Sequence, residues 1–105
     1  MELDTMKRRR GGGAAAKRKG ARGELKARKR LEAQGYHVIK AGGSLGCFDL
    51  VALGAAGVRC VQVKCNGYAS TAERAAMAAV ALPANCSREI WRWIDYEREP
   101  RIEGL

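Results

Sequence analysis

The sequence predicts an α+β domain, in which a small central mixed β-sheet is flanked by helices in the order αβββαβ. Two stretches, residues 21–34 and 71–81, are rich in residues that favour helix. Four short runs, residues 36–40, 48–53, 58–64 and 89–96, have the apolar character of strands. Glycines occur in the connections between several of these runs, which is typical of turns and loops. A length of 105 residues is typical of a single domain.

Positive charge is concentrated in the N-terminal part of the chain. Residues 1–40 hold thirteen Lys or Arg against four acidic residues, whereas residues 41–105 hold seven of each. Such an excess favours a polyanion as partner, most often nucleic acid, because neutralised phosphates release condensed counterions. We expect residues 1–19 to form a flexible basic arm, in which Gly11, Gly12 and Gly13 disfavour regular structure, and residues 20–105 to form the domain. A solvated tail without a partner is the alternative for the arm.

Several protein classes are not expected from this sequence. The four cysteines, Cys47, Cys60, Cys65 and Cys86, show no CxxC spacing, and His37 is not at ligand spacing from any of them. Each cysteine is therefore predicted to fill space in or near the core. No secretory pattern is recognised, and no apolar run approaches the ~20 residues that span a bilayer. We expect an intracellular, cytoplasmic protein with no membrane partner.

The first predicted helix has two different faces. At 100° per residue, one face carries Ala21, Glu24, Leu25, Ala27, Arg28 and Leu31, and the other carries Arg22, Lys26, Lys29 and Arg30. The first face is expected to pack on the sheet, where a carboxylate is costly unless it is paired or bound to a cation. Glu24 could pair with Arg28, four residues further on, or it could serve a functional site.

Asp49, Gln62 and Lys64 are the candidate functional residues of the strands. Asp49 interrupts an apolar strand, and Gln62 and Lys64 share one face of the next strand. The tight connection at residues 54–57 predicts a hairpin that brings all three to one end of the sheet. Oxygen ligands suit a hard cation, and an ammonium can orient an attacking water. The spacing alone is a weak signal, because Asp49 could simply start a strand and Lys64 could extend into solvent.

The segment from Ala21 to Lys64 resembles the N-terminal two-thirds of the archaeal-type Holliday-junction resolvases. These are small dimeric nucleases of the PD-(D/E)XK superfamily, which also occur in bacteria and phages. The resemblance rests on four elements in the family's order: a G-x-x-x-E helix start at Gly20–Glu24, a loop with Gly42, Gly43 and Ser44, Asp49 in a strand, and Gln62-Val63-Lys64 at the place of (D/E)-x-K.

The resemblance implies a restriction-endonuclease-like fold and a homodimeric, Mg²⁺-dependent endonuclease that resolves four-way DNA junctions by paired nicks. Mn²⁺ would be a possible substitute for Mg²⁺. The implied metal ligands are Asp49, Gln62, the backbone carbonyl of Val63 and, through water, Glu24. Lys64 would position the nucleophilic water, and Ser44 would contact the phosphate. Gln62 departs from the family, because an amide supplies an oxygen but no charge and should hold Mg²⁺ less tightly.

DNA contacts are expected from the basic residues and the glycine-rich loop, which would follow phosphates rather than bases. The predicted set is Lys17, Arg18, Lys19, Arg22, Lys26, Lys29, Arg30, Gly43 and Ser44. Two alternatives remain open: another nuclease of the same superfamily with a nicking, repair or restriction-like role, and a non-catalytic nucleic-acid-binding protein of the same fold. Trp91 and Trp93 could serve the core or a dimer surface, and at least one is expected in the core.

Overall fold

A computed structural model describes the backbone of residues 2–41 and 46–105, and side chains from residue 18 onward. The elements, in chain order, are α1 (Glu2–Ala33), β1 (His37–Lys40), β2 (Leu50–Leu53), β3 (Val58–Cys65), α2 (Thr71–Ala79), β4 (Cys86–Trp93) and β5 (Arg101–Gly104). This is the predicted α+β architecture, with one mixed sheet and helices beside it.

The five strands lie in the sheet in the order in which they occur along the chain. Strands β3 and β4 are parallel, and every other neighbouring pair is antiparallel. Helix α2 forms the crossover that a parallel pair requires. The predicted hairpin between β2 and β3 is confirmed, and its turn is closed by the Gly54 N–H, which donates to the Gly57 carbonyl at 2.8 Å.

The largest differences from the predicted elements concern the start of α1, the start of β4 and the presence of β5. Helix α1 begins at Glu2 rather than near Ala21, so the expectation that residues 11–13 prevent regular structure is wrong. Alanine, lysine and arginine favour helix, and here they outweigh the cost of about 1 kcal/mol for each glycine. Strand β4 begins at Cys86 rather than Glu89, and β5 was not predicted. In the described part of the chain, no helix has both the length and the apolar character to cross a membrane.

Two hydrophobic clusters cover the two faces of the sheet. The cluster between α1 and the sheet comprises Ala27, Leu31, Val38, Leu50, Ala52, Val61, Trp91 and Trp93. On the α2 face lie Phe48, Cys60, Ala69, Met77 and Ile90. Both tryptophans therefore belong to the core, as was expected for at least one of them. Cys60 is buried, and the other three cysteines are partly buried free thiols.

The buried face of α1 is only partly the predicted one: Ala27 and Leu31 are buried as expected, but the face is rotated towards Gly23. Gly23, Ala27 and Leu31 are buried, whereas Leu25 and Arg28 of the predicted packing face are exposed. At Gly23 the helix backbone lies directly on the sheet, and a Cβ there would come within 2.6 Å of the Cys65 sulfur. A glycine adds nothing to an apolar pattern, so its close contact with the sheet could not be predicted from periodicity.

Candidate functional site

The candidate site lies at the end of the sheet where β3 ends and β2 begins. Leu50 pairs with Val61 across the hairpin, and the N–H of the preceding residue, Asp49, donates to the Val61 carbonyl at 2.8 Å. The hairpin therefore places Asp49 beside the stretch of β3 that carries Gln62 and Lys64. The predicted meeting of these three residues is present in the fold.

Asp49 is anchored to the backbone of β3. The Val63 N–H donates to Asp49 Oδ2 at 2.7 Å, which leaves Oδ1 for another partner. The N–H and C=O of one strand residue point to the same side of the strand, so the Val63 carbonyl also faces this edge. Burial raises the pKa of Asp49 above its usual value, although the Val63 hydrogen bond and the Lys64 charge act in the opposite direction. A nearby cation would relieve this penalty on the charged carboxylate.

Glu24 approaches Asp49 from helix α1. Burial is the first cause that raises the pKa of Glu24 and the charge of Asp49 is the second, while Lys40 lowers it. Arg28 pairs with Glu32, with Nε to Oε2 at 3.2 Å, so the predicted alternative of a Glu24–Arg28 ion pair is wrong. A cavity of about 180 Å³ beside Glu24 is lined also by Ala21, Leu25, Arg28, Lys40 and Leu50. Glu24 therefore faces a space that could hold water or a hydrated ion.

Glu73, in the first turn of α2, is a member of the site that the sequence did not reveal. Its Oε2 accepts hydrogen bonds from Lys64 Nζ at 2.5 Å and from Gln62 Nε2 at 3.2 Å. The bond from Lys64 first, and then the N–H of Ser70, lower the pKa of Glu73 to about 2. Ser70 and Glu73 also form a capping box at the start of α2. The Ser-x-x-Glu pattern is visible in the sequence, but it signals a helix start rather than a contact with Lys64.

Gln62 has an unsatisfied oxygen. The side chain is buried, its Nε2 donates to Glu73, and its Oε1 has no hydrogen-bond partner among the residues that the structure describes. A buried acceptor without a partner costs about 1–3 kcal/mol. Such a group in a native fold needs a reason, and an ion or water at this position would supply one.

The donor set at this edge suits a hard divalent cation. Asp49 Oδ1, the Val63 carbonyl and Gln62 Oε1 are all oxygen donors, which Mg²⁺ and Mn²⁺ accept. Within the described residues, no group of three His, Cys, Asp or Glu side chains converges closely enough to hold a metal by itself. By donor type, these residues suit an ion that is held by a few protein oxygens and keeps much of its water, which is the usual manner of Mg²⁺.

The predicted DNA-binding residues are only partly described. Gly43 and Ser44 lie outside the described residues, as does the side chain of Lys17. Arg18, Arg22, Lys26 and Lys29 are exposed, whereas Lys19 pairs with Asp95 at 2.8 Å and Arg30 pairs with Glu99. The contact of Gly23 with Cys65 and Trp93 places this part of α1 over the ends of β3 and β4. Arg22 and Lys26 thus lie near the end of β3, on the face of the sheet opposite Lys64, whose side chain bonds Glu73 of α2.

No protein-family model, no curated protein and no solved structure matches this chain. The resemblance to junction resolvases stays a prediction, and the chemistry of the site has to support any functional conclusion.

Proposed function

We propose that the protein is a Mg²⁺-dependent endonuclease that cuts DNA and that its preferred substrate is the four-way junction. The observation that carries this proposal is the site around Asp49. A partly buried carboxylate with a raised pKa, a buried amide oxygen with no hydrogen-bond partner among the described residues and an ammonium group lie together at one sheet end. Perturbed groups of this kind are concentrated at functional sites. The preference for junctions and the homodimer rest on the sequence resemblance.

Each residue has a role in this proposal. Asp49 Oδ1, the Val63 carbonyl and Gln62 Oε1 would hold the ion, which when bound supplies positive charge to the scissile phosphate and acidifies a water. Lys64 would orient that water. Its ammonium has three donors, so the bond to Glu73 leaves two for water and phosphate. Glu24 and Glu73 flank Asp49 from the two helices and provide the negative charge that Gln62 lacks.

DNA binding would rest on phosphate contacts from the exposed cations Arg18, Arg22, Lys26 and Lys29 of α1. Their position over the ends of β3 and β4 would lay a DNA backbone across the sheet end that carries Lys64. Binding of this kind weakens steeply with salt and is insensitive to sequence, which suits an enzyme that selects DNA by its shape.

Two observations favour a second candidate, a DNA-binding protein without catalytic activity. The Lys64 ammonium is bound to Glu73, and the described carboxylates do not form a three-ligand metal cluster. In a protein that had lost its chemistry at Gln62, the Lys64–Glu73 pair would serve only to fix α2 on the sheet.

A cleavage assay separates the two candidates. The full chain is incubated with a synthetic four-way junction, a linear duplex and a single strand, each in Mg²⁺, Mn²⁺ or EDTA. We expect symmetric nicks in the junction that EDTA and Asp49→Asn abolish and that Asp95→Asn, an exposed carboxylate beyond β4, leaves in place. Cleavage of linear duplex would indicate another nuclease of the superfamily. Tight, salt-sensitive binding without cleavage in either metal would refute the enzymatic proposal.

A further inference from the structure

We propose that Tyr68 and Arg92 form a stacking platform for an unpaired DNA base beside the candidate metal site. The inference rests on the proposed function in one respect only, that the protein binds DNA. It extends that function by naming a feature of the substrate, an unpaired base within one or two nucleotides of the phosphate at Lys64.

The platform is an exposed aromatic ring with a cation on one face. Tyr68 is 72% exposed, and the guanidinium carbon of Arg92 lies 3.6 Å from the centre of its ring. Arg92 Nε also donates to the Gly67 carbonyl at 2.8 Å, which fixes the guanidinium against the ring. With one face covered by Arg92 and the side chain so exposed, the opposite ring face is open to a planar ligand.

The segment that carries Tyr68 is firmly held. Asn66 has a φ of 57°, its N–H donates to the Trp93 carbonyl at 2.8 Å, and its Oδ1 accepts from the Asp95 N–H at 2.8 Å. On the other side, Ala69 is buried against the α2 face of the sheet. The exposure of Tyr68 is therefore imposed by an ordered turn, so little conformational freedom would be lost when a base stacks on the ring.

The charge of Arg92 is available to DNA. None of the ion pairs between described residues includes Arg92, whereas nearby Arg74 and Arg101 are paired with Glu103 and Glu97. An arginine on an aromatic ring combines cation–π contact with attraction for phosphate. Single-stranded nucleic acid is commonly bound by this pairing of a stacking ring and positive charge.

The register of the sheet places the platform next to the catalytic candidate. Arg92 and Lys64 are direct partners on the parallel strands β4 and β3, so their side chains leave the same face of the sheet. Neighbouring strands lie ~5 Å apart, and stacked nucleotides of one strand are spaced by ~3.4 Å. With a phosphate at Lys64, the base that reaches Tyr68 belongs to the same nucleotide or to one of its close neighbours.

This placement bears on which DNA is bound. A base can lie flat on Tyr68 only when it has left its own stack, which is costly in a continuous duplex and easier at a branch point or a single-stranded end. Stacking on one aromatic side chain is typically worth about 5- to 150-fold in affinity. The platform would therefore select DNA with an open base beside the phosphate at Lys64.

The test uses binding rather than cleavage. Four-way junctions carrying 2-aminopurine at each position next to the branch are titrated with full-length protein in Ca²⁺ or EDTA, and affinity and fluorescence are recorded. We expect quenching at one or two positions, lost in Tyr68→Leu with a 5- to 150-fold weaker affinity and kept in Tyr68→Phe. Tyr96→Leu, at the other strongly exposed tyrosine of the described chain, should behave like the unchanged protein.

The outcomes separate this inference from the proposed function. If the unchanged protein binds no DNA, both fail. If it binds junctions with no change in Tyr68→Leu, or if Tyr68→Phe loses as much as Tyr68→Leu, the platform is wrong and the nuclease proposal stands. If quenching depends on Tyr68 but no metal supports cleavage, the platform stands and the enzymatic proposal fails.

Discussion

Two polar clusters lie at different places on the same sheet, and they are built in opposite ways. The first joins Arg59, near the start of β3, and Glu89, in the middle of β4. Two nitrogens of Arg59 donate to the two Glu89 oxygens at 2.8 and 2.6 Å, and Glu89 also accepts from Ser87 Oγ at 2.7 Å and Trp91 Nε1 at 2.9 Å. Burial opposes the charge of Glu89, yet the hydrogen bonds from Arg59, Ser87 and Trp91 outweigh it and lower its pKa.

In the second cluster, around Asp49, the polar groups are not all paired among the described residues, and the pKa of the carboxylate is shifted in the opposite direction. Asp49 receives one backbone hydrogen bond, and burial raises its pKa. Gln62 Oε1 is buried without a partner among the described residues. A network in which every hydrogen-bond donor and acceptor is paired stabilises the fold. A buried charge or acceptor that has no protein partner is instead available to a ligand. The comparison therefore supports a structural role for the Arg59–Glu89 cluster and the proposed functional role for the Asp49 cluster.

The largest expected effect is on catalysis at Lys64. Lys64→Ala should lower junction cleavage by more than about 100-fold, because even outer partners of a metal site are worth 10–100-fold. Junction affinity in Ca²⁺ should change by less than about threefold, since most phosphate contacts are proposed to come from α1. Single-turnover cleavage and a binding titration measure the two effects. Loss of affinity in proportion to cleavage would make Lys64 a DNA-binding residue instead.

The Arg59–Glu89 cluster should respond in stability rather than activity. Glu89→Gln leaves Arg59 without its carboxylate partner and should lower the free energy of unfolding by about 3 kcal/mol. Urea denaturation gives this value, and cleavage per folded molecule should stay unchanged. The double substitution Arg59→Met with Glu89→Met should recover part of the loss. An activity loss in folded Glu89→Gln would show that this cluster is also functional.

The pH dependence of that loss follows from the lowered pKa of Glu89. A carboxyl group with a lower pKa in the folded state stabilises the fold above its unfolded pKa of about 4.5, and this contribution disappears as pH falls through the folded value. The stability difference between the unchanged protein and Glu89→Gln should therefore be largest near neutral pH and shrink below pH 4.5. A difference that grows on acidification would contradict the assignment.

The smallest expected effect is an increase, rather than a decrease, in the free energy of unfolding, on substitution of Asp49. The pKa of Asp49 is raised in the fold, so its ionisation destabilises the folded state as pH rises from its unfolded pKa towards neutrality. Without metal at pH 7, Asp49→Asn should raise the free energy of unfolding by about 1 kcal/mol, as replacement of functional groups often does. The amide can still accept the Val63 N–H. Thermal unfolding in EDTA measures the change, and a destabilised variant would place Asp49 with the structural cluster.

Sequence reasoning succeeded where the relevant contacts are local. The hairpin at residues 54–57 follows from turn chemistry, and it brings Asp49 to Gln62 and Lys64 without help from the rest of the fold. Strand β5 was missed because all four of its residues are exposed at the sheet edge, so no alternation of burial marks it. The start of α1 was not predicted because three consecutive glycines disfavour helix, whereas the alanines and basic residues around them favour it.

The sequence by itself determined four of the five sheet-forming segments, the hairpin and the three polar residues on it, because strand alternation and turn geometry act over a few neighbouring positions. Only the tertiary structure decided that Glu73 reaches Lys64 and Gln62, that Glu24 lies near Asp49 rather than on Arg28, and that Gly23 is the point where α1 lies on the sheet. These contacts join elements distant along the chain, and their geometry depends on how both helices pack on the sheet. The hairpin brings together the three residues of the Asp49 cluster. The packing of α1 and α2 on the sheet adds one carboxylate from each helix, Glu24 and Glu73.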